Sequence, residues 1–216
     1  MTPNVRQPRQ ARAPASGKAG ASRGLPRRIT FVTGNAGKAR ELREQLAPLG
    51  IEVVQDARGY PEVQADTLAE VAEAGARHLL ASGLKPPFLL EDSGLFVAAL
   101  RGFPGVYSRH ALDTIGCPGV LRLLQDVEAE MRTAAFQAHL LYVDGAGGLH
   151  GFDGTCPGRI AERAAGAGGF GFDPVFQPRG HDQTFAEMKP AEKARSSHRG
   201  MAVRAFLDFL DKSTKA

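Results

Sequence analysis

The chain has 216 residues, 43% of them hydrophobic, enough to bury a sizeable core in one domain. It contains no apolar run near the roughly 20 residues that span a bilayer, so no membrane-spanning helix is expected. The formal net charge of +4 hides an asymmetry: of the 27 basic residues, seven lie in residues 1–28, ahead of the first acidic residue, Glu41, which leaves 20 basic against 23 acidic residues, about −3, in the remainder. That remainder is no basic platform, and a specific nucleic-acid partner is not expected.

Residues 1–28 are rich in Pro, Ala, Gly, Gln and Arg, with almost no large apolar side chain. They read as a disordered basic extension ahead of a single domain over residues 29–212. No apolar segment of a secretory signal is present. The Arg- and Ser-containing, acid-free composition is compatible with an organellar transit peptide, but a solvated, inert extension is the better reading. Any nucleic-acid contact by it would be weak and non-specific. Cys117 and Cys156 form neither a CxxC pair nor a disulfide framework, which suits a reducing compartment and a cytoplasmic location.

Residues 29–33, ITFVT, read as a short buried strand. A polar turn, Gly34, Asn35, Ala36 and Gly37, leads into a helix over residues 38–46 that stops at Pro48 and Gly50. Residues 51–54 read as a second strand. After a break at Gly59-Tyr60-Pro61, Asp66 or Thr67 can cap a helix that runs to Leu80. Residues 88–90 form a short apolar strand ending in Glu91-Asp92-Ser93-Gly94, and 95–100 stay mostly apolar. A loop with Gly102, Pro104 and Gly105 follows, ending in Tyr107-Ser108-Arg109-His110. Residues 116–127 read as a helix and 133–144 as a long strand. Residues 145–148 carry a hairpin signal, 149–152 a returning strand, and 158–162 a further strand. A short helix is expected over 184–188 and a last helix over 197–210, with a frayed polar tail after it. Early βα units followed by strands imply an α/β fold with a mixed sheet and helices on its faces.

Three polar clusters carry the chemistry. A strand, a glycine turn and a helix start expose backbone N–H groups at a positive helix end, a ready phosphate site. Gly34 and Gly37 allow close approach and Lys38 adds a charge, although no Walker A pattern is present. From these residues alone, an ordinary βα connection with a surface lysine stands level with a phosphate site. Glu91-Asp92 falls at the carboxyl end of its strand, where α/β sheets place ligands. Taken alone, it is more often a turn pair. The third cluster holds Phe170, Asp173, Glu187, Lys193, His198 and Arg199. His198 and Arg199 open a helix, where the dipole disfavours cations, and an anion or an electron-rich base edge would explain them. An anion cradle, carboxylates and cations together suggest a metal–nucleotide reaction.

The segments FVTGNAGKARE, YPEVQADTLAEV, LLEDSGL with GFPGVYS, FGFDPVFQP, and TFAEMKPAEK with SSHRGMA occur in that order. Together they resemble the inosine triphosphate pyrophosphatases, the Ham1-like non-canonical purine nucleotide pyrophosphatases, over nearly the whole of residues 29–210. The resemblance implies an elongated mixed β-sheet with flanking helices and two lobes around a central nucleotide-binding cleft. It implies hydrolysis of ITP, dITP or XTP to the monophosphate and pyrophosphate, with Mg²⁺ as cofactor and a homodimeric assembly. Thr33, Gly34, Asn35, Ala36, Gly37 and Lys38 would bind the triphosphate. Glu62 and Asp92 would hold the metal, with Asp92 as general base, and Ser93 would contact the nucleotide. Phe170, Gly171, Phe172 and Asp173 would line the base and sugar pocket. Lys193, His198 and Arg199 would reach the nucleotide, with donors near the purine 6-oxo group. Two positions depart from the family pattern: Ala194 follows Lys193 where Asn is usual, and Phe172 stands where Tyr or Trp is common. A Maf-like pyrophosphatase of different base specificity, or a non-catalytic nucleotide- or RNA-binding protein using the basic extension, is the alternative.

Overall fold

The computed structural model describes residues 26–215. The expected disordered extension therefore lies, over residues 1–25, outside the described residues. Among the described residues one six-stranded mixed sheet carries the fold, in the order β2-β1-β3-β4-β5-β6. β1 (Arg28–Val32) pairs in parallel with β2 (Glu52–Asp56) and with β3 (Phe88–Val97), joined by α1 (Ala36–Leu46) and α2 (Leu68–Ala81). β3, β4 (Thr133–Val143), β5 (Leu149–Ile160) and β6 (Phe176–Pro178) are antiparallel.

Side-chain alternation along the strands sends successive residues to opposite faces. Leu89, Ala138, Leu140 and Tyr142 pack with Ile29, Phe31 and Leu42 and with Ala202, Val203 and Phe206 of α6 (His198–Lys215). Phe88, Leu90, Leu141 and Val143 face the other way, against Ala72, Ala76 and Leu79 of α2. A separate cluster builds the far end of the long strands, where Leu95, Val97 and Phe136 meet Phe172, Val175, Phe176 and Phe185. The core thus divides in two along β3 and β4.

Local chemistry sets several boundaries. Thr67 caps α2 with a full capping box: its hydroxyl accepts from the Glu70 N–H, and the Glu70 carboxylate accepts from the Thr67 N–H. α1 begins at Ala36, two residues earlier than expected, because Asn35 is its N-cap and accepts from the Lys38 N–H at 3.1 Å.

Other expectations are corrected. Residues 88–97 form one ten-residue strand, so Glu91–Gly94 lie in its middle. Backbone pairing with β4 continues along all ten residues, whatever the polarity of the side chains. Residues 149–160 are likewise one strand rather than two. Its glycines read as breaks but serve close packing: a Cβ on Gly154 would lie 1.9 Å from the His198 carbonyl, and one on Gly158 2.3 Å from that of Gln177. Residues 108–110 open α3 (Ser108–Thr114), tied by the Arg109–Asp113 ion pair at 2.6 Å. The helix expected over 116–127 is shorter, α4 (Gly116–Leu123). The expected helix over 184–188 is a turn in which the Thr184 carbonyl accepts from Glu187 and Met188. Pro190–Ser196, not anticipated, is α5, with Pro190 in its first turn. α6 continues through Lys215, so the polar tail extends it.

Candidate active site

β1 pairs with β3 only from Thr30↔Phe88 to Val32↔Leu90, and β1 then ends. Beyond that point β1 no longer covers the edge of β3, and Glu91 to Gly94 border a cleft of about 430 Å³. Asp92 therefore stands at the carboxyl end of β1 although it is central in its own strand. Gly94 lets the following loop close in, since a Cβ there would lie 2.2 Å from the Gly105 carbonyl.

The first wall of the cleft is the turn between β1 and α1. The Thr33 N–H donates to the Asp56 carbonyl at 2.9 Å, and the Gln55 side-chain amide donates to the Thr33 carbonyl at 2.9 Å. Asn35 N–H donates to Thr33 Oγ1 at 3.1 Å. The turn is thereby fixed, while the first-turn N–H groups of α1 have no partner within the helix. A Cβ on Gly34 would meet nothing within 4 Å, whereas one on Gly37 would meet the Phe170 ring at 2.5 Å. Gly34 leaves open space beside the turn, and Gly37 admits an aromatic ring against the helix start.

The second wall is a buried ion-pair chain. The Arg199 guanidinium, 1% exposed, donates from Nε and Nη2 to the two Glu91 carboxylate oxygens at 2.7 and 2.8 Å. Its Nη1 donates to Glu41. Lys193 Nζ donates to Glu41 Oε1 at 2.7 Å and to Asp173 Oδ2 at 2.6 Å. Asp173 also accepts from the Phe170 N–H at 2.7 Å. Lys38 Nζ donates to the Glu91 carbonyl at 3.2 Å and lies 3.5 Å from its carboxylate. The chain ties α1, β3, α5 and α6 to the Phe170–Asp173 turn. Burial alone would raise the Glu91 carboxyl, but Arg199 and then Lys38 bring it down to about 2. Arg199 stays firmly charged against the same burial penalty because Glu91 and Glu41 flank it. Lys193 and Arg199 both face the Phe170 ring, at 4.8 and 5.5 Å from its centroid.

The third wall differs. Asp92 Oδ2 is buried without a hydrogen-bond partner. Burial pushes the Asp92 carboxyl up to about 6; Lys38 opposes this, and Glu62 and Glu91 add to it. Glu62 is exposed on the segment between β2 and α2, which also brings Arg58 and Tyr60 to the cleft. Burial, followed by the charges of Asp92, Glu62 and Glu91, raises the Tyr60 hydroxyl and keeps it protonated.

His198 closes the floor. Its ring is 4% exposed and stacks on Phe136, centroids 4.8 Å apart at 11°. Its Nδ1 is buried and has no partner. Burial and then the adjacent Arg199 hold the imidazole well below its usual range, so it is neutral, one ring nitrogen a donor and the other an acceptor. The structure thus gives His198 and Arg199 different surroundings: Arg199 is spent on two glutamates, His198 is free. Phe172 is 3% exposed within the far apolar cluster, while Phe170 is only partly buried beside the cleft.

Thr33, Gly34, Asn35, Lys38, Glu62, Asp92, Ser93, Phe170–Asp173, Lys193, His198 and Arg199 all border this cleft. Ala36 and Gly37 sit in the first turn of α1 just behind it. The sequence reading missed Glu41, the carboxylate shared by Lys193 and Arg199, and Phe136, the ring beneath His198. Glu41 is one turn after Lys38 on a helix, which in sequence is indistinguishable from a solvated charge. Among the described residues no three His, Cys, Asp or Glu side chains form a ready metal site. Two carboxylates, one with an unpartnered oxygen, nonetheless suit a hard cation that takes its remaining oxygens from water and phosphate.

Fold and cleft together define an α/β protein in which the glycine turn that opens α1 shares a cleft with a buried, unpartnered carboxylate oxygen. Residues 29–209 match the family model described as the Ham1 family, and the chain belongs to that family. A dITP/XTP pyrophosphatase of Thermococcus kodakarensis is 53% identical over 188 residues, 87% of this chain and 100% of that relative. One from Pyrococcus horikoshii is 45% identical over 87% of this chain and 99% of its own length. Among solved structures, a HAM1 protein from Coxiella burnetii superposes with a TM-score of 0.73 at 30% identity, covering 86% of this chain and 98% of that one.

Proposed function

We propose that this protein is a Mg²⁺-dependent nucleoside triphosphate pyrophosphatase acting on ITP, dITP or XTP. Water attacks the α-phosphorus, and a nucleoside monophosphate and pyrophosphate leave. Relatives of up to 53% identity carry the name dITP/XTP pyrophosphatase, which supports the substrate class. The observation that carries the reading is the unpartnered, buried Asp92 Oδ2 across the cleft from the Thr33–Lys38 turn.

In this reading the turn's N–H groups and Lys38 receive the phosphates. Glu62 and Asp92 would hold Mg²⁺, which would supply charge neutralisation for the phosphates. Asp92, whose carboxyl burial raises to about 6, is still ionised at neutral pH, and it takes the proton from the attacking water. Phe170 offers the base an aromatic face. The neutral His198 offers it a buried ring nitrogen that would be left unpaired by a mismatched partner, the kind of contact that discriminates a 6-oxo from a 6-amino purine. Arg199 and Lys193 hold this floor in place through Glu91, Glu41 and Asp173.

We assign a homodimeric, cytoplasmic protein with no specific nucleic-acid partner. The two free cysteines accord with that compartment. Among the described residues no helix is long and apolar enough to cross a membrane. The test is turnover of a triphosphate panel in ¹⁸O-labelled water with Mg²⁺. Label in the monophosphate, with ITP and XTP preferred over ATP, is expected; label in pyrophosphate, or preference for dTTP or UTP, overturns the reading. Sedimentation velocity checks the dimer.

A further inference from the structure

The cations of the cleft are not equally available. Lys38, Lys193 and Arg199 are matched by Glu91, Glu41 and Asp173 in the buried chain, three charges against three. Glu62 and Asp92 add two further carboxylates to the lining. Even with one divalent cation bound, a triphosphate keeps net negative charge, and of the chain's three cations only Lys38, whose carboxylate contact is the longest at 3.5 Å, is held loosely enough to meet it. Two lining cations stand outside the buried chain: Arg109, paired with Asp113 on its own helix, and Arg58.

Arg58 is the better placed. It is two residues past Asp56, the last residue of β2, whose carbonyl accepts from the Thr33 N–H. The side chain therefore leaves the sheet beside the anion-binding turn. Arg58 Nε donates to Asp56 Oδ2 at 2.6 Å, and the Arg58 N–H donates to Asp56 Oδ1 at 3.0 Å. The guanidinium is 47% exposed against 20% for Asp56, so this ion pair is in contact with water and weak. The segment that carries Arg58 has an anchor of its own. A Cβ on Gly75 of α2 would lie 2.7 Å from the Tyr60 ring, which shows how deeply that ring sits in the helix. Arg58 and Glu62 lie two residues to either side of this anchor, and both border the cleft.

We propose that Arg58 is a phosphate-binding residue of this cleft: it exchanges Asp56 for the β- and γ-phosphates of the substrate and holds the leaving pyrophosphate. A guanidinium suits this task because its fork can take two phosphate oxygens at once. The proposal rests on the pyrophosphatase reading and deepens it.

The test compares wild type, Arg58→Ala and Arg58→Lys in the full chain with Mg²⁺. Inhibition by inorganic pyrophosphate and by IMP is measured alongside ITP turnover. Losing a charge-assisted phosphate contact should raise the pyrophosphate inhibition constant and the KM for ITP about tenfold in Arg58→Ala, with kcat moving less than KM. Arg58→Lys should recover part of the loss, and IMP inhibition should stay within about twofold of wild type, a pattern that general damage to the fold does not give. Equal pyrophosphate inhibition in wild type and Arg58→Ala overturns the proposal while leaving the pyrophosphatase reading intact. If wild type itself releases no monophosphate from any triphosphate, the underlying reading fails first, and direct binding of Mg²⁺–pyrophosphate to the same variants then decides the role of Arg58: equal affinity overturns it.

Discussion

The two sides of the cleft solve opposite problems. On the α1–α5–α6 side every buried charge has a partner: Arg199 takes Glu91 and Glu41, and Lys193 takes Glu41 and Asp173. On the Asp92 side a carboxylate oxygen is buried with no partner, a second carboxylate stands on an exposed segment, and burial resists the ionisation of Asp92. Folding settles the charges of the one side, whereas the buried Asp92 oxygen, like His198 Nδ1 on the floor, is left without a partner. A satisfied buried network rigidifies, and an unsatisfied one stores free energy that binding can release. The contrast separates the residues that shape the cleft from those proposed to act in it.

The sharpest break comes at Asp92. Asp92→Asn should lower ITP turnover by about 10³-fold or more, since base and cation ligand go together. It should also stabilise the metal-free protein. A carboxyl whose folded pKa of about 6 lies above its ordinary value of 3.8 contributes stability at low pH that is lost as pH rises through 6. The amide removes that loss, and the melting temperature at pH 8 without metal should rise by roughly 5 °C. A variant both active and no more stable would erase the distinction between the two sides.

Arg199→Met tests the paired side. Truncating one partner of a buried pair strands the others, so Glu91 and Glu41 should cost about 3–5 kcal/mol in urea unfolding. A loss below about 1 kcal/mol, with the ITP-to-ATP ratio of kcat/KM collapsing instead, would make Arg199 a ligand contact rather than a support.

The two sides also respond oppositely to acid. Glu91, held at about 2 against 4.5 unfolded, contributes stability that is present above pH 4.5 and lost as pH falls toward 2, about 3 kcal/mol in full. Denaturant titrations across pH 2–8 should show this acid limb flattened in Glu91→Gln, while Asp92→Asn flattens only the decline near pH 6. The smallest effect is expected at Gly37. Gly37→Ala pushes on the Phe170 ring, and an overpacking cost of about 1–2 kcal/mol with a raised KM is anticipated, read by calorimetry and steady-state kinetics.

Much of the frame was legible along the chain. The β-branched run over 29–33, the Thr67 capping box and the apolar spacing of α6 specify their elements locally. The five ordered motifs placed the acidic pair, the glycine turn and the His-Arg step in one family pattern. Less legible were elements whose cause lies elsewhere in the molecule. β5 runs through Gly154 and Gly158 because α6 and β6 press against them. α3 and α5, seven residues each, are too short for periodicity to reveal.

The sequence by itself determined the β1 strand with the turn into α1, the start of α2 and the apolar face of α6, because strand composition, helix caps and helical spacing act over a few residues. Only the tertiary structure decided what each charge does there. His198 and Arg199 are neighbours in the chain, yet burial makes one neutral and unpartnered while Glu91 and Glu41, 108 and 158 residues away, hold the other as a fixed cation. Burial and long-range pairing set ionisation, and neither is written in the identity of adjacent residues.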